Sequence, residues 1–262
     1  MRLVPSTVET TFWGCIAFLT LLSVGVFADG PAIKKRQSTQ DIQGTARLVS
    51  DAENQLEEGR TTLDEQELMA ARGFFKECTV RDSKNARCYY DIARTEGYLG
   101  RVKRVHKDKK AAQSWIDSAI ENAQRAIVIN DKASDAHALL ADLYGNKIGL
   151  GGVLAATRYG ARVTSECERA LELDPNNPRI YLVLGRKYLF APKMFGGSLD
   201  KAVESFQEAI TLDPKCDEGF VWLAIAYRKK GDSQNAAKAL QRALRLNPRS
   251  SFATRVAAGS LE

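Results

Sequence analysis

Small and large apolar residues follow one another at helical spacing along the C-terminal half of the chain. Ala202 and Ala209, and again Ala236 and Ala243, stand seven residues apart, close to two helical turns, with Phe206 and Leu240 between them. Small residues on one face let a neighbouring helix come close and the large one fills the gap, so each segment predicts an amphipathic, closely packed helix. The helices also end alike. The stretches "CERALELDPNNPRIYLVLGRKYL", "FQEAITLDPKCDEGFVWLAIAYR" and "LQRALRLNPRS" each run a helix into Leu-Asp-Pro or Leu-Asn-Pro and a polar turn, and the first two continue into another helix. From Pro214 to Pro248 the period is 34 residues, and from Pro175 to Pro214 it is 39. A helix pair of this kind has an apolar face that it cannot cover alone, so neighbouring pairs must stack, with Phe252 and Val256 of the short tail closing the end.

These units resemble tetratricopeptide repeats. The last supplies Phe220, Leu223, Ala224 and Tyr227 on its first helix, then Ala236, Leu240, Ala243 and Pro248. The one before supplies Tyr181, Leu184, Gly185 and Tyr188, then Ala202, Phe206, Ala209 and Pro214, with five residues inserted between its helices. Upstream the order persists in a weaker form: His137, Leu140, Ala141 and Tyr144 before Val163, Cys167, Ala170 and Pro175; then Tyr89, Ile92 and Ala93 before Ala119, Ala123 and Ala126, with Asp131 in the place of the proline. The earliest unit pairs a helix near 42–60 (Ala46, Val49, Leu56) with one near 64–80 (Ala71, Phe75, Cys78). The resemblance implies an all-α, right-handed superhelical solenoid of about five helix-turn-helix pairs. Its stacking also offers a disulfide between Cys78 and Cys88, against the plain reading of two buried thiols.

Two corners are longer than the repeat requires. In "FAPKMFGGS", Pro192 stops one helix, Gly196 and Gly197 turn the chain at positive φ, and Ser198 caps the next helix. Turn chemistry does not call for Met194 and Phe195. They either tuck back onto the core, as large apolar residues usually do, or form a lip over a ligand groove. The other corner, Gly145 to Gly160, has neither a GxxxxGK[ST] nor a GxGxxG motif in a strand-to-helix setting, so it is a flexible corner ahead of a helix over 153–173 rather than a phosphate loop.

Charge and chemistry narrow the function. The 262-residue chain has 38 Lys and Arg against 32 Asp and Glu, a net +6 without any nucleic-acid reading motif. Arg2, the apolar run Phe12 to Ala28, and small residues Val26 and Ala28 before Asp29 predict a signal peptide over 1–28. The alternative is a retained anchor, since the run is long enough to reach the short end of membrane spans. A linker over 29–41 then leads to a repeat domain over 42–262, with no segment that inserts in a membrane. No CxxC pair accompanies His106 or His137, and no triad is recognisable, so neither metal, cofactor nor catalysis is expected. His137 takes a packing position of the repeat. His106 sits in "RVKRVHKDKK", a solvated charge run or else a patch for phosphate, acidic lipid or an acidic partner.

The resemblance further implies that first helices line a concave surface that holds a protein or peptide. Two positions per repeat, seven apart, face it: Arg87 and Arg94, Asp135 and Asp142, Arg179 and Arg186, Glu218 and Ile225. Their alternating charge fits a ladder of ion pairs between helices, worth about 0–1 kcal/mol each when exposed, or arginines left free to grip a carboxylate or phosphate. Tyr90, Tyr98, Leu182, Leu189 and Val221 are then the apolar candidates for holding the partner. A clamp for chaperone C-terminal carboxylates is not expected, because Tyr90, Ala138, Leu182 and Val221 stand where Lys and Asn would be needed. The expectation is an exported, periplasmic or secreted, non-enzymatic scaffold with an open groove. The alternative, loosely similar to the T-component proteins of TRAP transporters, is a small-ligand-binding accessory protein with a closed apolar pocket.

Overall fold

The computed structural model describes residues 49–259, so the apolar run Phe12–Ala28 and the linker lie outside the described residues. Among the described residues the first helix, α1, covers 49–62. It is followed by α2 (Glu65–Arg81), α3 (Ala86–Val105), α4 (Lys109–Ile129), α5 (Ser134–Leu173), α6 (Pro178–Phe190), α7 (Leu199–Leu212), α8 (Asp217–Lys230), α9 (Ser233–Leu246) and α10 (Ser251–Ala257). Within α5, Gly152 at φ 66° and ψ −146° breaks the run, so residues before and after it form two helices. The order among the described residues is therefore five helix pairs and a terminal helix.

Local chemistry sets the boundaries. Asp64, Asn85, Asp108, Asn177, Ser198, Asp232 and Ser250 each accept a hydrogen bond from a first-turn N–H of the helix that follows. Between repeats the turn is made by an Asp or Asn whose side chain accepts from the N–H two residues on: Asp82 from Lys84, Asn130 from Lys132, Asp174 from Asn176 and Asp213 from Lys215. Proline is dispensable there. Ser83 and Asp131 take its position without altering the turn; Ile92, Ala93, Ala119, Ala123 and Ala126 of the second unit and Leu56, Ala71, Phe75 and Cys78 of the first are buried as expected, while Ala46 lies outside the described residues.

Packing follows the small-large-small pattern. Ala202, Phe206 and Ala209 are fully buried, as are Ala71, Phe75 and Cys78 in the first repeat. Cys78 and Cys88 are bonded, with Cα atoms 6.2 Å apart, tying the end of α2 to the start of α3. Cys167 and Cys216 are free, and burial pushes their thiols up to about 12 and about 11, out of the range of easy exchange. Reducing the bridge should therefore lower stability by about 2–3 kcal/mol for a loop of this length. Thermal melts with and without reductant check this, and an unchanged midpoint would count against it.

The long corner departs from expectation. Lys193–Phe195 form a single 3-10 turn, in which Pro192 C=O accepts from the N–H of Phe195 at 2.8 Å and of Gly197 at 3.1 Å. That closed turn holds its side chains outward, so Met194 and Phe195 are 82% and 67% exposed rather than tucked onto the core. Of the two corner glycines, only Gly196 adopts positive φ, 85°. Gly197 is needed for another reason: a Cβ there would lie 1.8 Å from the Ala191 carbonyl oxygen.

The superhelix closes on itself. Ser251 Oγ donates to Thr62 C=O at 2.7 Å, Asn247 Nδ2 to Thr61 Oγ1 at 3.3 Å, and Arg60 lies 3.4 Å from Asp217. Arg249 adds an ion pair to Glu58. The end of α1 thus meets α8 and the segment leading into α10, and the concave face becomes an inner chamber rather than an open groove.

Candidate functional site: an arginine-lined chamber

Three helices send one face each into the chamber. From α3 come Arg94, Gly97, Tyr98 and Arg101; from the first half of α5 come Leu139, Asp142, Leu143 and Asn146; from α6 come Arg179, Leu182 and Arg186. The spacing of three, four and seven is that of a single helical stripe. Glu218 from α8 completes the wall around a cavity of about 40 Å³. Its walls carry six charged side chains, so it is not the closed apolar pocket that a small-ligand accessory protein requires.

Four of those charges are arginines and two are carboxylates. Arg186 pairs with Asp142 at 2.5 Å, and Arg101 with Glu218 at 2.8 Å. Glu218 also accepts from Trp222 Nε1 at 3.2 Å, while Arg186 lies over the Trp222 ring. Burial alone would raise the Glu218 carboxyl, but Arg101, Arg186 and Arg60 outweigh it and hold the group well below the usual carboxylate range. Arg94 turns to Asp91 on its own helix at 2.9 Å. Arg179 lies 3.6 Å from Asp135, too far for a hydrogen bond. The Nε–H groups of Arg94 and Arg179 are buried without any acceptor. For Arg179, burial works against the charge, yet Tyr90, Tyr98 and Asp135 hold its guanidinium above the ordinary range.

The charge ladder expected from sequence is half present. Between α5 and α6 the Arg186–Asp142 rung is tight and the Arg179–Asp135 one a loose ion pair at 3.6 Å, but Arg87 bonds Asp91 at 2.6 Å and Glu53 at 2.8 Å rather than Asp135, and Arg94 bonds Asp91 rather than Asp142. Asp135 instead accepts from Asn177 at 3.0 Å. Glu218 is paired across the chamber with Arg101, a residue the sequence reading missed. Two groove positions per repeat suit a 14-residue helix, whereas α3 has 20 residues and presents a third turn seven residues beyond Arg94.

Several apolar candidates do not face the chamber. Leu189, Val221 and Ile225 are buried among the helices of the last two repeats, and Tyr90 is buried with Arg87 and Arg94 over its ring. None offers surface to a partner; only Tyr98 and Leu182 of that set line the cavity. His137 is more than a packing residue. Its Nδ1 lies 2.6 Å from Glu166 Oε2 and its Nε2 3.1 Å from the Asp131 carbonyl, binding the two halves of α5 to the preceding turn.

Arg101 is shared with a wider recess of about 190 Å³, lined by Leu63, Arg101, Arg104, Val105, Lys107, Trp222, Phe252 and Arg255. Four cations and no carboxylate stand in this lining, beside two aromatic rings 5.0 Å apart. Leu63 and Lys107 are also the two non-glycine residues with positive φ, 57° and 61°, among the described residues.

Paired helices, small-large-small packing and a concave face built from first helices define a tetratricopeptide-repeat solenoid. Residues 49–257 match the family described as Regulator of microtubule dynamics protein 1-3, and the chain belongs to that family. No curated protein sequence matches it at a significant level. Among solved structures, it is similar to TTC0263, a thermophilic TPR protein of Thermus thermophilus, at 20% identity over 80% of this chain and 98% of that one, with a TM-score of 0.60. MamA (18% identity, 78% and 94% coverage, TM-score 0.40) and YrrB, a TPR protein with an unusual peptide-binding site (18%, 88% and 100%, TM-score 0.38), superpose too loosely to bear on the geometry.

Proposed function

We propose that the protein is a non-enzymatic interaction scaffold whose inner chamber grips an acidic group of a protein partner. The observation that carries this reading is a cavity walled by four arginines and only two carboxylates, with the Nε–H groups of Arg94 and Arg179 buried without a hydrogen-bond acceptor. A carboxylate among lining arginines accepts the strongest hydrogen bonds available to a side chain. A cavity of about 40 Å³ has room for a few waters or one carboxylate in their place, but not for a helix. The rest of the partner segment lies in the cationic recess, which Arg101 joins to the chamber. The family's name, regulator of microtubule dynamics, fits a role exercised through protein partners.

Titration of the full chain with a hexaglutamate peptide tests the reading. Asp142→Asn releases Arg186 and should tighten binding roughly 10-fold, the worth of one charge-assisted hydrogen bond, with a steeper salt dependence. Replacing both Arg94 and Arg179 by Gln should weaken it by at least as much. Binding and salt slope unchanged in both variants would refute the chamber as the site.

A further inference from the structure

Of the eight large apolar side chains exposed among the described residues, five stand at two corners: Val153 and Leu154 after the break in α5, and Phe190, Met194 and Phe195 between α6 and α7. Val153, Leu154 and Met194 are at least 80% exposed, which no core packing explains. The chain runs out along the first helix of each repeat and back along the second, so these corners gather on one rim and the Asp/Asn turns on the other. Contacts between neighbours agree with this. Arg104 near the end of α3 reaches Asn146 near the end of the first half of α5 at 3.5 Å, and Lys229 at the end of α8 lies 5.2 Å from the Phe190 ring.

Two corners of the same rim carry exposed lysines. The corner between α3 and α4 exposes Lys107, Lys109 and Lys110, and the corner after α6 exposes Lys193. None of these four has a salt-bridge partner among the described residues. The acids of these two corners are occupied: Asp108 caps α4, accepting from Ala111 N–H at 3.0 Å, and Asp200 pairs with Lys230.

We infer that this rim docks on an anionic bilayer surface, with Val153, Leu154, Met194 and Phe195 entering the interface. The lysines meet the headgroups. Exposed apolar tips on the same rim as lysines without salt-bridge partners complement a surface that is negative outside and apolar beneath; an acidic protein would satisfy the lysines but leave the protruding tips in water. Among the described residues no helix is long and apolar enough to cross a membrane.

The test uses the full-length chain with Leu154→Trp or Phe195→Trp, and vesicles with brominated acyl chains, so that quenching reports contact of that side chain with the bilayer interior. Val128→Trp, exposed near the end of α4 on the opposite rim, is the control. With vesicles of phosphatidylcholine and phosphatidylserine, added quenching is expected at 154 and 195 and not at 128. Changing Lys107, Lys109 and Lys110 together to Glu should raise the lipid concentration for half-maximal quenching by roughly 100-fold. Equal quenching at 128, equal quenching with phosphatidylcholine alone, or none at 154 and 195, as a rim made for a protein would give, overturns the inference.

Discussion

Arg72→Leu should lower stability by about 3–5 kcal/mol and the thermal midpoint by at least about 6 °C. Glu96 on α3 is wholly buried, and its oxygens accept from Arg72 Nε on α2 at 2.7 Å and from Asn122 Nδ2 on α4 at 3.0 Å. Removing the arginine strands a carboxylate in the core of the first two repeats with one neutral donor. Arg72→Leu combined with Glu96→Leu should recover most of the loss, because no charge is then left buried without a partner. Melting the single and double variants decides the matter. A double variant no more stable than Arg72→Leu would place the loss in the stacking of Arg72 on Trp115, 5.0 Å away, rather than in the stranded charge.

Phe206→Ala is expected to cost about 3–5 kcal/mol, for a reason visible on the facing helix. Phe206 is fully buried, and a Cβ placed on Gly185 would lie 2.4 Å from its ring. Gly185 is thus the hollow that receives the ring. Gly185→Ala should itself cost about 1–3 kcal/mol through overpacking, although alanine is the better helix former by roughly 1 kcal/mol. Gly185→Ala with Phe206→Leu should cost less than the sum of the two single changes, since the smaller side chain leaves room for the methyl. Denaturant unfolding of the set checks this; strict additivity would mean that the two residues do not share a packing site.

The Gly185 and Phe206 pair was legible because repeat packing is written locally, in small and large residues seven or four apart. Helix ends were legible through Leu-Asp-Pro only in the later units. The feature common to the turns is the Asp or Asn acceptor, present at Asp82 and Asn130 as at Asp174 and Asp213. An acceptor-based reading finds the early boundaries without proline. Closure was not legible. The contact between Arg60 and Asp217 joins residues 157 apart, and it depends on how small rotations add up over successive repeats. The same holds for Arg101 and Glu218, separated by 117 residues, so an open groove was expected where a chamber stands. Met194 and Phe195 misled in a different way: their hydrophobicity predicted burial, while Pro192 and Gly196 close a turn that faces them outward.

Photo-crosslinking of a hexaglutamate peptide to the full chain, with the attachment sites mapped, tests the central claim most directly. An acidic segment seated in the chamber should attach to the first helices, around residues 94–101, 142–146 and 179–186, and attachment should fall as salt screens the arginines. Attachment confined to the second helices α4, α7 and α9, with the chamber residues untouched, would contradict the account.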